Sequence, residues 1–404
     1  MKITVVGQGY VGLNISIGAA KAGYTVIGID HDPALIRNLS NGVTFIPGIS
    51  KSEILELIDS QNYVPTTEFE KISDSSIVVI AVPTPLGKNR KPDLSALELV
   101  SETLGGYLDN VTLIVNESTS YPGTLRNLIK PLVEKNSKLK HLYASAPERI
   151  DPGNTEWNLS NTPRVIGGLT VNATEKATAF YKTFCNQIYQ VSSPEVAEAA
   201  KLFENSFRQI NIALVNEFAK ISDSLGFSTH EAIRAASTKP FGFMPFFPSI
   251  GVGGHCIPVD PSYLSYAAEQ VGISASFIEL ANKTNLSMVN YITERIEKLL
   301  KRPLKDLKIQ IAGISYKTDI PDLRESPVLE LINVLRKKGA KVSWADPLVQ
   351  HWNGEFSETL SGNIDLGLIV TPHEVLNFDI WKKSNIEVLD LSSNDKNYGW
   401  PKFL

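Results

Sequence analysis

Cys256 stands in "GVGGHCIPVDP" (251–261), a stretch too rich in glycine and proline to form a regular helix or strand. Three chemistries are open to it: a nucleophilic thiol, a metal ligand, or a buried structural thiol. The glycines ahead of it would let backbone N–H groups converge on an oxyanion. At an ordinary pKa only a few per cent of a thiol is ionised near neutrality, so a nucleophile here requires an activating neighbour. His255 is adjacent, but neighbours in an extended loop point apart and make a poor thiol–base pair. The only other cysteine, Cys185, shares no CxxC spacing with Cys256, so neither a disulfide framework nor a structural zinc site is expected, and no metal.

Other polar residues have spacings that suit the same chemistry. Lys201 and Asn205, four apart on a helical stretch, share one face and could donate to a substrate oxygen or stabilise an oxyanion. Glu204 and Arg208, also four apart, read as a solvated surface pair. Asp260 could orient a water, tune Lys201, or cap a helix that starts at Pro261. Glu148, in "APERIDPGN", could activate a hydrolytic water or be tied up in a salt bridge to a nearby arginine.

These residues need elements to carry them. "KITVV" reads as a short buried strand leading into "GQGYVG", then a helix, then the strand "TVIGI" ending at Asp30. This is the order of a dinucleotide-binding unit: Gly7, Gly9 and Gly12 allow a tight turn, close approach of a pyrophosphate and close helix packing. Asp30 would accept from the ribose hydroxyls and repel a 2′-phosphate, favouring NAD. "HLYASAP" (141–147) reads as a strand ahead of Glu148. "IVVIAV" (77–82) and "VTLIVN" (111–116) extend a parallel sheet. Their following loops, "PTP" and "ESTSYPGT", would lie at the ligand crevice.

Near residue 193 the pattern changes. Ser193 as N-cap, Pro194 at the first position and Gly226 as stop bracket one helix of roughly 48 Å. Val196, Ala200, Phe203, Phe207, Ile210, Leu214, Phe218 and Ile221 keep helical spacing along it, suiting either a core seam or a subunit interface. From residue 308 a second Rossmann-like lobe follows: "KIQIA", a loop, "SPVLELINVLRKKG", "AKVSWAD" and "IDLGLIV". The glycine turn is missing, and the loop "GISYKTDIPDLRE" stands in its place, with Lys317, Asp319, Asp322 and Arg324 suited to a phosphate-bearing ligand or to solvent. The expected fold is therefore α/β, with two Rossmann-like doubly wound parallel-sheet domains joined by a long central helix and helical middle domain. Boundaries fall at 1–192, 193–300 and 301–404.

The 404-residue length is too great for one core, and 43% apolar with 20% charged residues is a soluble globular balance. A net charge of -4 provides no basic face for nucleic acid. The N-terminus runs straight into a strand, and no window of about 20 apolar residues appears, so no membrane partner is expected and a cytoplasmic location is.

Together the motifs resemble the UDP-glucose/GDP-mannose dehydrogenase family over essentially the whole chain. The matching stretches are "GQGYVG" with Asp30, "VPTP", "ESTSYPGT", "APERIDPGN", "PRVIGG", "KLFENSFRQINIALVNE", "GVGGHCIPVDPSYL" and "YKTDIPDLRESP", all in family order. The resemblance implies NAD-dependent oxidation of a sugar C6 alcohol to a carboxylate in two hydride transfers, with UDP held by the C-terminal lobe. It implies Cys256 as the nucleophile that forms a hemithioacetal and then a thioester. Lys201 and Asn205 match the oxyanion pair, Asp260 the acid near the cysteine, Glu148 a water-handling carboxylate, Thr119 a hydroxyl beside nicotinamide and water, and Lys317 the basic residue of the nucleotide loop. The implied cofactor contacts are Gly7, Gly9, Tyr10, Val11, Gly12, Asp30, Pro83, Thr84, Ser118 and Thr119. The implied substrate contacts are Glu148, Arg149, Lys201, Asn205, Phe247, Gly251, Gly253, Lys317 and Arg324.

"TKPFGFMPFFP" (238–248) is similar to the subgroup acting on UDP-N-acetylhexosamines, especially UDP-N-acetylglucosamine, in bacterial surface-polysaccharide synthesis; UDP-N-acetylmannosamine and UDP-glucose are the alternatives. A homodimer or higher homo-oligomer is implied. Three positions depart from the family pattern: Ser249-Ile250 in place of Gly-Pro, Ser392 where an arginine often follows the last strand, and Pro152 at a second acidic position. The competing readings are a two-electron hydroxyacid-type dehydrogenase and a non-catalytic NAD-binding protein.

Overall fold

The computed structural model describes the whole chain except Phe45, Pro47, Lys88, Asn89, Pro152, Thr155 and Asn385. The departure noted at Pro152 therefore lies outside the described residues. The chain divides into two compact units, Met1–Glu204 with Ser262–Ile273, and Asn205–Pro261 with Ser274–Leu404.

The first unit is built on eight strands: β1 (Lys2–Val6), β2 (Thr25–Ile29), β3 (Tyr63–Thr66), β4 (Ile77–Ile80), β5 (Leu113–Asn116), β6 (Leu142–Ser145), β7 (Arg164–Gly168) and β8 (Ile188–Gln190). Their order across the sheet is β3-β2-β1-β4-β5-β6-β7-β8. The first six form the expected parallel, doubly wound arrangement, which reverses direction between β1 and β4. The Val/Ile runs of β1, β4 and β5 follow from burial on both faces. Periodicity did not reveal β3, whose Pro65 lacks a donor; the strand survives because it is the sheet edge. β7 joins antiparallel to β6, pairing Ala144 with Gly168, and carries the sheet beyond the doubly wound core.

The second unit holds the parallel sheet β10-β9-β13-β14, from β9 (Lys308–Ala312), β10 (Lys341–Ala345), β13 (Leu366–Ile369) and β14 (Glu387–Asp390). A small hairpin of β11 (His351–Trp352) and β12 (Glu355–Phe356) follows β10. Helices Ser276–Leu300 and Pro327–Lys337 bring Met288, Ile292, Ile296, Leu331 and Leu335 into one core with Ile309 and Ile311. The lobe keeps more of the glycine turn than its sequence suggested. Gly313 has φ +81°, and a Cβ there would overlap the Thr371 carbonyl, just as one on Gly7 (φ +91°) would overlap that of Ala81. The Gly7 N–H donates to Ile29 O at 2.7 Å and the Gly313 N–H to Ala345 O at 2.8 Å. What the lobe lacks are the second and third glycines.

One helix, Pro194–Leu225, runs unbroken for 32 residues from the first unit into the second. Its apolar stripe faces outward: Phe203 is 69% exposed and Leu214 62%, with Val196, Phe207 and Ile221 exposed as well. Its buried face is Leu202, Ser206, Gln209, Ala213, Asn216 and Ser222. Amide pairs satisfy that polar interior, Gln209 Nε2 donating to Asn282 Oδ1 (2.5 Å) and Asn216 Nδ2 to Asn285 Oδ1 (2.9 Å).

Candidate active site

The first unit carries the dinucleotide turn. Helix Tyr10–Lys21 starts at Gly9 with no side chain capping its first turn, and a Cβ on Gly9 would meet no protein atom. Open space in front of uncapped N–H groups fits a pyrophosphate. Gly12 is needed for another reason: a Cβ there would overlap the Gly7 carbonyl. Asp30 ends β2 and accepts from the Gln8 N–H (2.8 Å) and the Asp32 N–H (3.0 Å), which fixes its carboxylate beside the turn. Tyr10 and Val11 are half-buried on the first turn, and Pro83 is exposed. Thr84 is buried, its carbonyl accepting from the Tyr263 hydroxyl at 2.9 Å. Ser118 Oγ accepts from the Val82 N–H at 2.9 Å. Among the described residues no group of three His, Cys, Asp or Glu could hold a metal ion.

Thr119 lies on the loop after β5 and meets Lys201, whose Nζ donates to Thr119 Oγ1 at 2.6 Å; both residues are buried. Glu148 is buried as well, and the salt bridge is real. Arg164 Nη2 lies 2.6 Å from Glu148 Oε2, while Oε1 accepts from the N–H groups of Arg149 (2.6 Å) and Ile150 (2.9 Å). Burial alone would raise this carboxyl, but Arg164 and the two backbone donors outweigh it and hold Glu148 below the usual carboxylate range. A carboxylate offers about four acceptor sites, and three are used here. The remaining lone pair can orient a water, although a carboxylate so stabilised is a weak proton acceptor.

Arg164 also lies 2.8 Å from Glu117, which takes a hydrogen bond from the Tyr181 hydroxyl. Burial pushes Glu117 up to about 7, with Glu148 adding to the rise and Arg164 opposing it. Neither Arg164 nor Glu117 stood out in the sequence, because "PRVIGG" and "ESTSYPGT" contain no sign that one buried arginine serves two carboxylates. Arg149 turns to the long helix, bridging Glu204 at 2.6 Å, so Glu204 lies at the surface as its spacing to Arg208 suggested but is also part of a tertiary ion pair. Cys185 is buried, and burial pushes its thiol up to about 11, which leaves it inert.

Cys256 lies in the second unit. It is half-buried, and its carbonyl accepts from the Asp260 N–H at 2.8 Å, immediately ahead of helix Asp260–Gln270. The helix begins at Asp260 itself, one residue before Pro261, and the Asp260 carboxylate accepts from Asn205 Nδ2 at 2.6 Å. His255 is half-buried on the bend beside the cysteine. The glycines serve packing more than ligand approach. A Cβ on Gly253 would stand 2.7 Å from Tyr316 Cβ and 3.0 Å from Glu325 O, and one on Gly251 3.2 Å from Pro327. Gly254 has φ +85°, and its N–H is spent on Arg324 O at 3.0 Å, so it cannot serve an oxyanion. The cysteine loop is thus seated on the loop that replaces the glycine turn. Arg324 on that loop is gripped by Asp322 at 2.6 Å. Asp322, more than burial opposes, raises its pKa, with a further electrostatic contribution from Cys256.

That seating loop has its own anchor. Asp346, at the end of β10 as Asp30 is at the end of β2, accepts from the N–H groups of Ile314 (2.8 Å) and Ser315 (3.3 Å) and contacts His373 Nε2 at 3.0 Å. The Asp319 N–H donates to His373 Nδ1 at 2.8 Å, and Lys317 lies between these fixed points, half-buried. Phe247 stacks on His230 with centroids 5.0 Å apart. Two departures from the family pattern have structural accounts. Ile250 enters the core, while Ser249 Oγ donates to Gly251 O at 2.6 Å. Beside Ser392, Lys402 Nζ reaches Ser392 Oγ at 2.6 Å and Asp390 at 3.0 Å, so a cation still stands at the end of β14.

The comparisons cover the same span. The description "UDP-glucose/GDP-mannose dehydrogenase family" matches with its NAD binding domain at residues 1–185, its central domain at 195–287 and its UDP binding domain at 310–385. A UDP-N-acetyl-D-glucosamine 6-dehydrogenase of Salmonella typhi is 33% identical, covering 93% of this chain and 90% of the relative. A UDP-N-acetyl-D-mannosamine dehydrogenase of Pyrococcus horikoshii is 34% identical over 92% of this chain and 90% of its own. The solved structure of the UDP-D-ManNAc dehydrogenase from Pyrococcus horikoshii superposes with a TM-score of 0.89 at 30% identity, covering 99% of this chain and 98% of that one. The two Rossmann-like sheets, the NAD-type turn and these full-length matches agree: the chain belongs to the UDP-glucose/GDP-mannose dehydrogenase family.

Proposed function

We propose that the protein oxidises the C6 hydroxyl of a UDP-N-acetylhexosamine, UDP-N-acetylglucosamine first, to the uronic acid, making an activated precursor for surface polysaccharide in the cytoplasm. The observation that carries this reading is the seat of Cys256: a half-buried thiol at the start of a helix, on a bend pinned to the loop bearing Lys317 and Arg324. The names of relatives such as those of Salmonella typhi and Pyrococcus horikoshii support an N-acetylhexosamine substrate.

Bound NAD would accept a hydride in each of two rounds. The first oxidation converts the alcohol to an aldehyde. The Cys256 thiolate adds to its carbonyl carbon, giving a hemithioacetal; loss of a second hydride leaves a thioester. Water then attacks, the C–S bond breaks, and the carboxylate leaves with the thiol regenerated. Lys201 and Asn205 would donate to the successive oxyanions, Asp260 would hold the Asn205 amide, and Thr119 and Glu148 would orient the water. In this reading residues 1–192 hold NAD, 193–300 contribute catalytic and dimerisation surfaces, and 301–404 hold UDP.

The outward stripe Phe203, Phe207, Leu214 and Ile221 supports assembly of at least a dimer, since a free apolar helix face of this length is costly in water. The direct test of function is NADH release with UDP-N-acetylglucosamine, UDP-N-acetylmannosamine, UDP-glucose and UDP-galactose. The expected result is the highest kcat/KM with UDP-N-acetylglucosamine and two NADH per sugar acid. One NADH per product would replace this reading with a two-electron dehydrogenase, and preference for UDP-N-acetylmannosamine would change the sugar alone.

A further inference from the structure

Three successive turns of the long helix hold the loop that follows β5. Glu195, Glu198 and Lys201 are spaced by three and share a face. Their partners run back along the loop: Arg126 Nε on Glu195 (2.6 Å), the N–H groups of Gly123 (2.7 Å) and Leu125 (3.0 Å) on Glu198, and Thr119 on Lys201 (2.6 Å). The near end of the loop is tied to the sheet, the N–H groups of Glu117 and Ser118 both donating to Ile80 O. The middle attachment therefore sets how far Thr119 extends, because only Ser120, Tyr121 and Pro122 separate it from the Glu198 hook.

We propose that Glu198 is a positioning residue, holding the far end of the loop so that Thr119 meets the Lys201 ammonium. The inference rests on the reading of Thr119 and Lys201 as groups of the reaction centre. Glu198 is 1% exposed and among the described residues no basic side chain forms an ion pair with it, a costly place for a carboxylate. Burial accordingly raises it to about 8, against the pull of the two backbone N–H groups. A carboxylate nonetheless suits the task, since it alone offers an acceptor oxygen to each N–H. Glutamine would turn an NH2 against one of them. Gly123, at φ +96°, aims the first donor inward, and the helical segment beginning at Leu125 presents its positive end to the same carboxylate.

The test is a double-mutant cycle in the full-length enzyme, with steady-state NADH formation from UDP-N-acetylglucosamine and thermal unfolding measured on the same samples. Glu198→Gln should lower kcat about tenfold or more while leaving KM for NAD and for the UDP-sugar within about twofold. In a Thr119→Val background the same substitution should cost less than about twofold, because the group it positions is gone. Glu195→Gln, which loosens only the exposed outer attachment, should leave kcat within about twofold. If Glu198→Gln does not fold, Gly123→Ala, which strains the positive φ and displaces the donor without touching the helix, takes its place in the cycle with the same expected pattern. Independent, multiplicative losses from Thr119→Val and the hook variant would overturn the positioning role and leave the Thr119 reading intact. Full activity in Thr119→Val would overturn that reading and the inference with it.

Discussion

Glu117→Gln should make the first unit less sensitive to pH, by an amount the structure sets. Glu117 is 1% exposed, between Arg164 and the Tyr181 hydroxyl, and burial carries its carboxyl from 4.5 to about 7. Each tenfold difference in proton affinity between folded and unfolded chains is worth about 1.4 kcal/mol, so this group carries about 3 kcal/mol of linkage. Below about 4.5 both states hold the proton and the folded state has its full advantage. As pH rises to 7 the unfolded chain releases the proton and the folded chain keeps it, so stability falls; above 7 both have released it and the loss is complete. Glutamine does not titrate, yet keeps an acceptor for Tyr181. The stability of the variant minus that of the wild type should thus increase by about 2–3 kcal/mol between pH 5 and 8, whatever its starting value. Glu198 titrates alike in both proteins and cancels. Tryptophan fluorescence would report mainly the other region, since four of the five tryptophans lie in the second unit and Trp157, in the first, is 44% exposed. Hydrogen exchange at the amides of β5 and β7, corrected for intrinsic rates, reads the opening of the strands that carry this cluster. Parallel pH profiles for the two proteins, within about 1 kcal/mol, would show that Glu117 is ionised throughout and that Arg164 outweighs burial.

Lys201→Met removes a buried ammonium that we propose faces the oxyanion and should lower kcat by about 10²–10³, as loss of one such donor does, with KM for NAD unchanged; a loss below tenfold would take Lys201 out of that role. Phe207→Lys with Leu214→Lys places two charges on the outward stripe and should convert the proposed dimer to monomers in light scattering, each apolar side chain being worth about 1.5–3 kcal/mol when fully buried. An unchanged mass would move the interface elsewhere. Brief treatment with iodoacetamide near pH 7.5 should label Cys256 and spare Cys185, as mass spectrometry of the two peptides will report; equal labelling would deny Cys256 its activation.

What could be read in advance was local. The turn at Gly7 and the acid at Asp30 follow from a few consecutive elements, and each glycine has a steric or ligand reason visible in its own neighbourhood. Asp346 repeats the place of Asp30 in the second lobe, where the retained Gly313 escaped notice because the two later glycines are gone. Contacts between distant segments were a different matter. Arg164 reaches Glu148 across 16 positions and Glu198 reaches Gly123 across 75, and nothing in periodicity states the register in which a loop lies along a helix. The long helix illustrates the limit. Spacing predicts an apolar stripe with full regularity, but periodicity is blind to which side of a helix is covered. Here the covered side is the polar one, because Asn282 and Asn285 on a second helix meet Gln209 and Asn216 amide to amide. Once those groups are satisfied inside, Phe203, Phe207, Leu214 and Ile221 are left exposed, so where the amides find each other, and not the apolar spacing, decides which face of the helix this chain covers.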